Sequence, residues 1–127
     1  MNIVQTATQK MELRDDGIVH VVVLNEKVME LNDAIENVKI ISSFAGDSKV
    51  HLLIDLKNTV GATKECRAFL AGPETAKVQS ACALIITSPF AKLIGSFFLG
   101  VNKPLFPTKL FTDPEKAEKW ISQYARA

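Results

Sequence analysis

Apolar runs and amphipathic stretches alternate along this chain, and their periods set out the elements. Met11 to Arg14 and Ile18 to Leu24 read as two short strands joined by Asp15-Asp16-Gly17, where glycine can supply the positive backbone angle of a tight hairpin. In the second strand Ile18, His20, Val22 and Leu24 share one face and Val19, Val21 and Val23 the other. Both faces are mostly apolar, which places that strand toward the middle of a sheet. Asn32 is positioned to cap a helix over about Asp33 to Ala45, with Asp33 and Glu36 near its positive end, Gly46 at its stop, and Leu31, Ile35, Val38 and Ile41 as the inward stripe. Val50 to Leu56 is the next strand; after the polar loop Lys57 to Ala62, Thr63 caps a short helix through Leu70.

Gly72 breaks that helix, and Pro73 is suited to the first position of another turn through Val78. Ala81 to Ile86 then reads as a buried strand. The stretch 88–101 predicts a helix with Phe90, Ile94, Phe97 and Val101 on its inner face and Lys92, Ser96 and Lys103 opposite. Leu99 falls inside that polar stripe, with Phe98 on its flank. Pro104 and Pro107 bracket a connection into a last strand, Thr108 to Phe111, and favour a sheet edge there. Asp113-Pro114-Glu115 opens a terminal helix whose stripe is Ala117, Trp120, Ile121 and Tyr124.

The order β-β-α-β-α-β-α-β-α predicts an α/β fold with a mostly parallel sheet, an antiparallel first strand and helical covering. No repeat or linker divides the 127 residues, a length suited to one domain spanning 1–127, with residues 1–8 expected to be flexible. The charged fraction is 23% and the net charge +1, so the clustered positive charge that nucleic acid requires is absent. No apolar run approaches the roughly 20 residues of a membrane span, and the start lacks the pattern of a secretory signal, so cytoplasmic residence is the default expectation. Cys66 and Cys82 match no metal or redox spacing and read as reduced structural thiols.

Candidate chemistry is sparse. The six glycines are dispersed, with neither GxxxxGK[ST] nor GxGxxG among them, and no GxSxG elbow occurs. His20 and His51 sit within apolar strands, where a packed residue is the simpler reading than a catalytic base. Asp55 stands apart from the helix-surface carboxylates because it ends a parallel strand, the edge where open α/β sheets place ligands. Thr63, Ser88 and Asp113 belong to the same edge, either as helix caps or as a polar rim around a small ligand or anion, with Lys92 adding charge. No metal site and no cofactor is expected.

The element order, Leu53-Ile-Asp-Leu56 before a helix, Ala83-Leu-Ile-Ile-Thr-Ser-Pro-Phe90, Phe97-Phe-Leu-Gly, Lys103-Pro and Pro107-Thr-Lys-Leu-Phe-Thr-Asp113 carry a resemblance over residues 10–125. They resemble the STAS and anti-sigma-factor-antagonist (SpoIIAA-like) superfamily, in its small bacterial branch related in fold to CRAL-TRIO lipid-binding domains. The resemblance implies a regulatory, non-catalytic module. In regulatory STAS domains a serine at the amino end of the helix after the Asp-bearing strand accepts phosphate, usually within Asp-Ser-Ser-Gly. Here Gly61-Ala-Thr-Lys64 lacks the serine pair, and Thr63 is the nearest hydroxyl.

The first functional reading is a regulatory or protein-interaction module, in its simplest form a homodimer through the Phe-rich helix, with Leu99 at the contact. The alternative is a domain for a lipid or other apolar ligand, with helix 88–101 as lid or membrane-contacting element and Phe90, Ile94 and Phe98 near the cavity; glycines 95 and 100 would loosen that helix. Enzymatic activity is not expected, and Asp55 would be its acid or base.

Overall fold

The computed structural model describes residues 3–24, 27–59, 61–86 and 105–124. Within them six strands form one sheet: β1 (Ile3–Gln5), β2 (Gln9–Leu13), β3 (Ile18–Val23), β4 (Val50–Asp55), β5 (Gln79–Ile85) and β6 (Thr108–Phe111). Four described helices accompany them: α1 (Leu31–Ala45), α2 (Lys64–Leu70), α3 (Pro73–Ala76) and α4 (Pro114–Ser122). Spatial order follows sequence order from β1 to β6. The β1–β2 and β2–β3 pairs are antiparallel; β3 through β6 run parallel. The expected helix 88–101 lies outside the described residues.

The hairpin turn forms where expected. Gly17 has φ +83°, a region where an L side chain is strained, and its N–H donates to the Arg14 carbonyl at 3.1 Å. Asp16 Oδ1 accepts from Ile18 N at 3.1 Å and closes the turn. At the start of the described chain, residues 3–5 pair with β2 as an additional first strand. Thr6 Oγ1 accepts from the backbone N–H groups of Thr8 and Gln9 at 3.2 and 3.1 Å, reversing the chain into β2. A three-residue strand is too short to show a period of two, so only the hydroxyl-assisted turn marks it.

Helix α1 begins earlier than expected. Its cap is Glu30 rather than Asn32, because the Asp33 carboxylate reaches back one turn and accepts from Glu30 N at 2.9 Å. Its inward face is also rotated. Ala34, Asn37 and Ile41 are buried, whereas Leu31 is 37% exposed and Ile35 and Val38 are half-buried. The inner face therefore carries an amide at its centre. Gly46, φ +60°, ends the helix, its N–H donating to the Ser42 carbonyl at 3.2 Å.

Strand alternation sends two sets of side chains to opposite layers. Val19, Val21, Val23, Leu52, Cys82 and Leu84 pack with Ala34 and Ile41 of α1 and Cys66 of α2. Ile18, Leu53, Ala81, Ala83 and Ile85 pack with Ala117 and Ile121 of α4. Ala81 and Ala83 are small enough for α4 to settle close to the middle of the sheet. Asp113 caps α4, accepting from Glu115 N at 2.9 Å, as its place before Pro114 predicts. Arg14 bridges β2 to α4 through Glu118 at 2.6 Å.

Candidate functional site

At the carboxyl edge of the parallel strands, Asp55, Thr59 and Thr63 each bond to the chain's own backbone. Asp55 Oδ1 accepts from Lys57 N at 2.9 Å, with Lys57 Nζ 3.9 Å from the other oxygen. Thr59 Oγ1 accepts from Gly61 N at 3.2 Å, and Thr63 Oγ1 from Cys66 N at 3.2 Å, which makes Thr63 the cap of α2. Thr63 N donates to the Met29 carbonyl and Met29 N to the Gly61 carbonyl, so this loop is stitched to the segment before α1. The candidates Ser88, Phe90, Lys92, Phe98 and Leu99 lie outside the described residues. Because capping accounts for the Thr63 hydroxyl, Thr63→Ala is expected to cost about 1 kcal/mol in urea unfolding, and Thr63→Ser to retain most of it.

Thiol chemistry is separated from its base by the sheet. His20 and His51 lie on the α4 side, where His51 Nδ1 is 2.8 Å from Ser80 Oγ and its ring meets Tyr124 at 5.8 Å. Cys66 and Cys82 are buried on the α1 side. Burial pushes the Cys82 thiol up to about 12, and burial together with the negative Asp33 pushes Cys66 up to about 11. Both are poor nucleophiles at neutral pH. Among the described residues no group of three His, Cys, Asp or Glu is placed to hold a metal ion, and no helix is long and apolar enough to cross a membrane.

The feature that sequence reasoning missed is a cavity of about 70 Å³ between α1 and the sheet. Aliphatic side chains of three strands line it, including Val21, Val23, Leu52, Ile54 and Leu84, with Ile41 above and Phe106 at the β6 end. Four polar side chains join them: Gln9, Asn37, Gln79 and Thr108. Gln9 is 2% exposed, Gln79 4% and Asn37 7%. Gln9 Nε2 donates to Met29 Sδ at 3.3 Å, and the Thr108 hydroxyl to the Phe106 carbonyl at 3.1 Å. Asn37 Oδ1 is buried with no hydrogen-bond partner. Period alone hid these residues: Gln9 and Gln79 open their strands, and Asn37 interrupts an apolar stripe.

Residues 11–125 match the family described as "Domain of unknown function (DUF7793)". The chain belongs to the DUF7793 family. No curated protein matches it. Among solved structures, the DUF7793 chain is similar to an uncharacterized DUF3478-family protein with a SpoIIAA-like fold from Shewanella loihica PV-4. The TM-score is 0.62 and the identity 16%, covering 89% of this chain and 91% of that one. A protein of unknown function from Arthrobacter sp. FB24 is 26% identical, with a TM-score of 0.35, over 88% of this chain and 97% of that one. The DUF7793 chain thus has the SpoIIAA-like fold expected from its sequence.

Exposed large apolar side chains among the described residues are Ile3, Val28, Leu31, Leu105 and Tyr124, spread over β1, the start of α1, the approach to β6 and the end of α4. Scattered singly, such residues are ordinary surface. The interaction-module expectation drew on Phe98 and Leu99.

Proposed function

We propose that this DUF7793 domain is a non-catalytic binding module that takes a small, mainly apolar molecule into the cavity between α1 and the sheet. The observation that carries this reading is the cavity itself, a partly open space walled by aliphatic side chains yet holding buried amides. Concave, mostly apolar sites with a few convergent polar groups are what small-molecule recognition requires. Its size permits two water molecules, at about 30 Å³ each, or the tip of a slim chain. The competing enzymatic reading loses support because Asp55 accepts from the Lys57 backbone and both thiols are held protonated.

Methyl NMR under xenon pressure tests this directly. Xenon is apolar and fits small dry spaces, so saturable shifts are expected at the methyls of Ile41, Leu52 and Ile54, with those of Ile18 and Ile121 unmoved on the opposite face. No saturable shift, or equal shifts on both faces, overturns the proposal.

A further inference from the structure

We infer that the cavity selects a neutral ligand whose buried tip carries a hydrogen-bond donor, a hydroxyl or amide N–H, accepted by the side-chain oxygen of Asn37. This rests on the binding reading above and adds the chemistry of the ligand. Asn37 sits between Ala34 and Ile41 on the buried face of α1, where its two buried neighbours are apolar. It is instead an amide, itself 7% exposed, whose oxygen meets no donor among the described residues. A buried acceptor left unmet is costly, and asparagine is a weak helix former, so neither packing nor helix propensity explains the residue.

The neighbouring polar groups narrow the choice. Gln9 Nε2 is engaged with Met29 and the Thr108 hydroxyl with the Phe106 carbonyl, while Asn37 Oδ1 is the lining oxygen that is wholly shut off from solvent and meets no donor among the described residues. No Lys, Arg, Asp or Glu lines the cavity among the described residues. Among the described lining residues an ionised carboxylate or ammonium would meet no countercharge, at a large desolvation cost, whereas a neutral alcohol or amide costs far less to bury and recovers one hydrogen bond. The chemistry points to a slim neutral amphiphile, entering tip first, and away from an ionised fatty acid.

Butan-1-ol and its isomer 1-methoxypropane differ in having or lacking the donor, and methyl NMR titration of both reads the preference. The wild-type domain is expected to bind the alcohol about five- to tenfold more tightly than the ether, the worth of one neutral buried hydrogen bond. Asn37→Leu is expected to erase that preference while holding the ether within about twofold of wild type. Equal affinities in the wild type, a preference that survives Asn37→Leu, or butanoate binding as tightly as the alcohol would each overturn the inference. If Asn37→Leu fails to fold, the wild-type ratios alone decide. Xenon shifts with equal alcohol and ether affinities would sink this inference and leave the cavity reading standing; silence from all three probes would remove both.

Discussion

Ile121→Ala is expected to destabilise the domain by about 2–5 kcal/mol, the range for truncating a fully buried isoleucine. Ile121 and Ala117 are the two buried residues of α4, and with Trp120 they close the layer over Ile18, Leu53, Ala83 and Ile85. The helix is nine residues long, too short to persist without its packed face. Its ionic tie, the Arg14–Glu118 pair, is part-exposed, and solvent screening keeps such pairs weak. Glu118→Ala should therefore cost well under half as much as Ile121→Ala. Urea unfolding checks both: the midpoint should fall at an unchanged slope, and comparable losses from the two variants would show that α4 is held by charge rather than by burial.

Alkaline pH is expected to weaken the fold through its two buried thiols. In the unfolded chain both titrate near their ordinary value of 9, whereas in the fold they are pushed up to about 11 and about 12. Above pH 9 the unfolded state therefore holds fewer protons than the native state, and stability declines as pH rises from about 9 toward 12. At pH 10 the two thiols together account for a loss of about 2–3 kcal/mol relative to pH 8. Comparing urea midpoints at the two pH values, in the wild type and in the double variant Cys66→Ala and Cys82→Ala, isolates the effect. The variant starts less stable but should decline less steeply, and parallel declines would assign the loss to lysines or tyrosine.

Local chemistry made much of the fold legible. Gly17 at a required positive φ, Thr63 and Asp113 as caps, Pro73 at a helix start and Pro107 before an edge strand all act within a few residues of themselves, and each appears where its type predicts. What stayed hidden depends on distant partners. The rotation of α1 is set by which residues meet β3 and β4, and the apolar period pointed to Leu31 and Val38 because Asn37 reads as a polar position. Gln9 and Gln79 look like strand-end surface until the sheet brings them beneath a helix. Asp55 was rightly placed at the edge, but its hydrogen bond to the Lys57 backbone was a local option that sequence could not choose over a ligand.

The sheet adds each strand beside the one preceding it in sequence. During synthesis every new strand thus meets a partner already made, and no earlier pair has to open to admit it. The two layers do not mature together, however. Helix α1 follows β3 directly and can shelter its own side early, whereas α4 follows every strand. Ile18, Leu53 and Ala83 wait for Ile121 until that helix has emerged from the ribosome, so the α4 side is where a growing chain is most open to chaperones and to sticking to its neighbours.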